Sequence, residues 1–386
     1  MGFFYILLLI LLVIFTASFT LAIIKTLQVD FPNVQIPPEV DQPGKLLIVH
    51  AHMVITSGKI LEKMGLCTEI TFTRYMRSGK KRGPEPWLCL QDKHFGGVPV
   101  RIYLPRVPSA ALRPATIFFH GGGWIYCTHT PQFLADSHDN ICRYIARETP
   151  EHKYPAAYED CLNATVQFMR NAELYGVDPA RISTLAGRTD LPRLRAQILI
   201  YPGLQAVDLD LPSYQQNRGV PLLLRERAAF FALLYLRGDA QYKQDVLKGS
   251  HVPPEMREKY KKWVSPDNIP ERFKARGYNP PKTHDIKAEV FKNFERTDEP
   301  SLCPLLAEDA VIQQLPETFI LTCEYDVLRD DGLLYKKRLE DNGVPVTWCH
   351  LEDGFHAIIS LHDYCGLRFP SGKRGLDRIV QFIKGL

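Results

Sequence analysis

At 386 residues the chain exceeds an average domain, yet it could form one large α/β domain with an anchor. Its 45% hydrophobic and 23% charged residues are ordinary for a globular protein, and a formal net charge of +4 is too small to point globally to nucleic acid. The nine cysteines form no CxxC pair and no finger-like Cys/His spacing, which argues against a structural zinc site.

The N-terminal stretch Phe3 to Ile24 carries no charged side chain over 22 residues. At about 1.5 Å per residue it reaches roughly 33 Å, enough to cross a bilayer core. A cleaved signal peptide is the competing reading, but the basic start and the shorter apolar core of a signal are missing, so a retained single span is expected. Four prolines between 26 and 44 read as an extended linker, and residues 45 to 76 as a region of helical character. Arg77 to Arg82 is a basic run without interleaved aromatics, a solvated loop rather than a nucleic-acid platform.

Two strand-like runs around Gly96-Gly97 predict a hairpin, and the apolar "ATIFF" of 115–119 a short strand that ends in glycines. Residues 133–147 and 156–172 predict helices, the second closed by Gly176 and Pro179. "ISTL" and "QILIY" predict strands near 182–185 and 197–201, and 220–237 an apolar-rich helix interrupted by charges. A proline- and charge-rich tract from 251 to 302 reads as loops and short helices. Strands are expected at 318–326 and 344–353. Between them lies a helix with Asp330 and Asp331 at its start and Asn342-Gly343 at its end, and an amphipathic helix over 374–385 closes the chain. Strands alternating with helices imply a mainly parallel sheet with helices on both faces.

In such a sheet, reactive groups sit beyond the C-terminal ends of the strands. Three expected loops carry them: His120-Gly121-Gly122-Gly123-Trp124, Asp326, and Gly354-Phe355-His356. Consecutive glycines leave backbone N–H groups unshielded, as stabilising an oxyanion requires. A phosphate cradle is the alternative, but the Lys-Ser/Thr that completes a P-loop is missing. A carboxylate can hold an imidazole in the tautomer that accepts a proton, the base half of a catalytic triad.

The segments "HGGGW", "PEHKYPAAYED", "DPARIS", "LIYPGLQ", "DLDLPSY", "CEYDVLRDDG" and "EDGFHA" together resemble the arylacetamide deacetylase group of α/β-hydrolase esterases. The resemblance implies an α/β-hydrolase domain over residues 85–386, a linker and N-terminal helical cap region over 26–84 and a membrane anchor over 1–25. It also implies an endoplasmic reticulum membrane location with a lumenal body. By the same resemblance Asp326 is the triad acid, His356 the base, and His120, Gly121 and Gly122 belong to the oxyanion hole. The implied substrate is a small apolar ester or amide, turned over without metal or organic cofactor. The family often ties the loop after HGGGW to the cysteine before the acid, which would pair Cys127 with Cys323. Asn163-Ala164-Thr165 is an acceptor sequon for N-linked sugar, set within an expected helix.

The departures from the family pattern are as informative. The group carries a Gly-Asp-Ser-Ala-Gly-Gly-like elbow soon after the strand that begins "RI". Here Arg181-Ile182 runs through Ser183, Thr184, Leu185, Ala186 and Gly187 to Arg188-Thr189-Asp190, and no Gly-x-Ser-x-Gly occurs anywhere. A second jump lies at Glu148-Thr149-Pro150, where the family has a whole strand. Two pieces of the central sheet region are therefore expected to be missing. Ser183, Thr184 and Cys127 are poor substitutes for the nucleophile by position, so the acid, base and oxyanion loop are expected to remain without hydrolysis. Alternatives are a non-catalytic hydrolase-fold protein that binds ligands or partners, and a chain unable to fold stably.

Overall fold

The computed structural model describes residues 34–55, 88–119, 156–183, 194–237, 240–280, 286–292, 294–361 and 367–386, with isolated positions outside these ranges. The predicted span Phe3–Ile24 and the predicted helix over 133–147 fall largely or wholly outside them. Among the described residues no helix is long and apolar enough to cross a membrane.

Helix α1 (Pro43–Ile55) precedes the antiparallel hairpin of β1 (Leu88–Phe95) and β2 (Val98–Pro105). The hairpin turns where expected, because Gly96 and Gly97 supply positive φ angles of 59° and 84°. Strand β3 (Arg113–Thr116) is shifted from the expected 115–119: Ile117 to Phe119 lie past its paired end. Helix α2 (Ala156–Arg170) leads through a short 3-10 turn to Gly176, whose φ of 70° caps it. Pro179 belongs to the next strand, β4 (Val177–Ser183), instead of closing the helix.

Strand β5 (Ala196–Ile200) follows. Helix α3 (Arg225–Arg237) begins later than the expected 220, because Pro221 precedes Leu222, whose φ of 78° is incompatible with a helical turn. Helix α4 (Pro254–Val264), strand β6 (Glu317–Tyr325), helix α5 (Arg329–Asp341), strand β7 (Val346–Phe355) and helix α6 (Pro370–Gly385) complete the core.

Strands β3-β4-β5-β6-β7 form one parallel sheet in sequence order. Side chains of β6 alternate between two cores, as a two-residue period requires. Phe319, Leu321, Cys323 and Tyr325 pack with Leu46 and Val49 of α1 and Ile379 of α6. On the opposite face, Ile320 joins the large core with Leu333 and Leu339 of α5 and with Phe231, Leu233, Tyr260 and Trp263. A third, small core of Phe95, Val98, Val100, Phe168, Met169 and Val177 holds the hairpin against α2 and β4.

Asp330 and Asp331 do more than favour a helix start. Both are fully buried: Asp330 accepts from the Ser213 amide at 2.6 Å, and Asp331 from the Leu204 amide at 2.9 Å and the Gln205 side chain at 3.0 Å. Gly332 is required between them and the sheet, since a β-carbon there would lie 2.5 Å from Thr322 Cγ2.

Candidate active site

The last residues that β6 and β7 pair are Tyr325 and Phe355, so the next residue on each strand, Asp326 and His356, leaves the sheet at the same edge. The His356 Nδ1 and Asp326 Oδ2 atoms are 2.9 Å apart. An ionised carboxylate only accepts, so the proton sits on Nδ1 and the Nε2 lone pair is left free to take another. Asp326 has a side chain that is 0% exposed, while that of His356 is 23% exposed, giving a buried orienting acid and a reachable base. The second carboxylate oxygen, Oδ1, accepts from the Leu328 amide at 2.9 Å, so both oxygens are fixed.

The route of the chain to His356 explains the local sequence. A β-carbon on Gly354 would lie 2.7 Å from Leu351 Cβ and 3.0 Å from Cys323 Sγ, so only glycine lets β7 close onto β6 just before the base. Immediately after it, Ala357 adopts a φ of 66°, a strained left-handed conformation for a residue with a β-carbon. Tyr201, beyond the end of β5, also has a positive φ, 39°, and its ring centre lies 4.9 Å from that of His356. Burial pushes the Tyr201 phenol above its ordinary range. The sequence reading put Tyr201 at the end of a strand and within "LIYPGLQ" but gave it no role at the site.

Several of the other expected residues are not placed. His120, Gly121 and Gly122 lie outside the described residues, as do Thr184 and Cys127. Thr116, the last paired residue of β3, is level with Ser183 of β4, Ser183 with Ala196 of β5, and Ala196 with Glu317 of β6. Glu317 opens β6, whereas Asp326 follows its end. At about 3.3 Å per residue, Ser183, the last described residue of β4, is therefore about 30 Å along the sheet from Asp326.

Cys323 is a fully buried free thiol, so the pairing with Cys127 implied by resemblance is not formed; burial pushes its thiol well above the usual range. Asn163 is exposed on α2, while the Thr165 hydroxyl of the same sequon is turned in and donates to the Cys161 carbonyl at 2.7 Å. Among the described residues no cluster of His, Cys, Asp or Glu is placed to hold a metal ion.

A family model described as alpha/beta hydrolase fold matches residues 116–255 and 265–360. The chain is 41% identical over 379 residues to arylacetamide deacetylase-like 3 of Mus musculus, covering 90% of this chain and 91% of that one. It is 38% identical over 403 aligned residues to arylacetamide deacetylase-like 3 of Homo sapiens, covering 97% of each. Among solved structures, a thermostable esterase from Pseudomonas putida superposes with a TM-score of 0.56 at 18% identity, covering 89% of this chain and 96% of that one, a likeness of fold. With that fold, the Asp326–His356 hydrogen bond at one edge of its sheet and relatives matching over most of its length, the chain belongs to the arylacetamide deacetylase-like family of α/β hydrolases.

Proposed function

We propose that this chain is a carboxylic-ester and arylacetamide hydrolase frame that retains its acid and base but lacks its nucleophile, and that it does not turn over esters. The observation that carries the reading is the exit of β4. A triad serine belongs in the turn after that strand. No serine or cysteine stands between Thr184 and Arg193, and Ser183 pairs with the start of β5, far from His356. Parallel neighbours normally need a crossover of a dozen or more residues that carries the chain back to the start of the sheet. Here Ser183, the last described residue of β4, is paired with Ala196, the first residue of β5. The alignment of 403 positions with the human relative is also longer than the 386-residue chain, which supports the reading of lost segments.

Removing the nucleophile of a triad hydrolase leaves only what binding and the oxyanion hole supply, a loss of about 10⁶ in kcat. Purified full-length chain is expected to release p-nitrophenol from a short acyl ester no faster than its His356→Ala variant. A rate abolished by His356→Ala would overturn the reading. Genomic sequence around codons 148–150 and 186–188 gives an independent test, since an intervening coding exon with a GDSxGG-like motif would identify the gaps as deletions.

The same reading assigns residues 1–25 to a single-pass anchor, 26–84 to a linker and helical cap region, and 85–386 to the hydrolase domain in the endoplasmic reticulum lumen. His120, Gly121 and Gly122 would donate to a developing oxyanion, and Asn163 would accept sugar. A second reading, a non-catalytic binder of small apolar esters or amides, is favoured by the intact Asp326–His356 bond. Retained affinity for such a ligand without turnover would support it.

A further inference from the structure

Asn217 lies in none of the loops that carry the acid, the base or the glycines. It ends a short helical turn, Pro212–Gln216, and is fully buried. Its amide nitrogen donates to two carbonyls on the chain that delivers the acid, that of Glu324 at 3.0 Å and that of Asp326 itself at 2.9 Å. Its amide oxygen accepts from Arg276 Nη2 at 3.0 Å. The amide therefore has one permitted orientation: a flip would turn its oxygen onto two carbonyl oxygens and its NH2 onto a guanidinium.

Arg276 completes the bracket from outside. It donates to the Glu324 carbonyl at 3.0 Å and from Nε to Glu324 Oε1 at 3.0 Å, and its guanidinium lies 4.8 Å from the centre of the Tyr325 ring. One turn earlier, Ser213 Oγ donates to the Val327 carbonyl at 2.6 Å. Carbonyls 324, 326 and 327 are thus all tied to side chains of the Ser213–Asn217 segment. The Asp326 carbonyl has one further donor, the Arg329 amide at 3.2 Å.

We infer that Asn217, oriented by Arg276, is a positioning residue that fixes the Asp326 backbone so that its carboxylate meets His356 Nδ1. The inference rests on the reading of Asp326 and His356 as the acid–base pair, and it needs no turnover to be tested. In the full-length chain labelled with 15N-histidine, the Nδ1–H proton of His356 gives a low-field resonance, assigned by its loss in His356→Gln. Asn217→Ala is expected to speed exchange of that proton with water about tenfold, the equivalent of one net hydrogen bond, and to shift the resonance upfield. Arg276→Met, at an exposed position, is expected to act in the same direction to a smaller extent.

Phe168→Ala, in the hairpin core, should raise amide exchange in the hairpin, α2 and β4 and leave the resonance unchanged. If Asn217→Ala behaves as Phe168→Ala does, the residue is merely structural and the inference falls. Should Asn217→Ala fail to fold, an unchanged resonance in Arg276→Met overturns it equally. Should Asp326→Asn leave the resonance in place, the acid–base reading itself fails, which is a distinct result.

Discussion

The two halves of the sheet are stitched very differently. Strands β6 and β7 pair from Thr318↔Val346 to Tyr325↔Phe355, and β5 pairs with β6 along its whole length, from Ala196↔Glu317 to Ile200↔Leu321. Between β4 and β5 the described residues show a single paired position, Ser183↔Ala196. The core divides at the same seam: two large clusters enclose β5 to β7, while the hairpin, α2 and β4 share a small one. Asp326 and His356 belong to the well-knit half.

The largest effect that would sharpen this contrast comes from Ile320→Ala in the centre of β6. It is expected to cost about 2–5 kcal/mol and lower the midpoint of the main unfolding transition, measured by denaturant titration. Phe168→Ala should leave that transition in place and raise amide exchange only in the hairpin, α2 and β4. A common transition shifted equally by both variants would erase the distinction between the halves.

Gly354→Ala should cost about 1–3 kcal/mol, because the added carbon meets Leu351 Cβ and Cys323 Sγ and neither can move without shifting β6 against β7. The measurement is again the denaturant midpoint.

A smaller effect concerns pH. Burial pushes the Asp331 carboxyl from 3.8 up to about 7, so its contribution to stability is fully present below its unfolded value and is lost as pH rises through about 7. Burial lowers His251 from 6.5 to about 4, so its contribution is present above its unfolded value and is lost as pH falls through about 4. The two slopes oppose each other. In Asp331→Asn the thermal midpoint should rise more steeply with pH across this window than in the unmodified chain, and in His251→Gln it should fall more steeply. The smallest effect is expected at the surface: Lys337→Ala breaks a 2.7 Å pair with the exposed Asp341 and should change stability by less than about 0.5 kcal/mol.

Much of the well-knit half was legible. Alternating apolar residues in "TFILTCEY", the acidic helix start and the Asn342-Gly343 stop place β6, α5 and β7 within two residues of their observed bounds. Asp326 and His356 were legible because each follows a strand whose length the pattern sets. Less was legible near "ATIFF", whose apolar run marks burial without saying where the ladder ends. The expected helix over 220–237 failed at its start because Leu222 is held by tertiary packing in a backbone conformation its own preferences disfavour. The roles of Tyr201 and Asn217 were invisible for a related reason. Their partners, His356 in one case and Glu324, Asp326 and Arg276 in the other, come from distant parts of the chain, and no local spacing encodes such contacts.

By itself the sequence determined the succession of strands and helices, the acid and base that follow two of those strands, and the absence of a Gly-x-Ser-x-Gly elbow. These depend on local periodicity and on residue identity. Only the tertiary structure decided that Asp326 and His356 meet at hydrogen-bonding distance and that a buried asparagine brackets Asp326. Those outcomes depend on register between strands remote in sequence, and on buried polar groups that must find partners wherever the packed chain puts them.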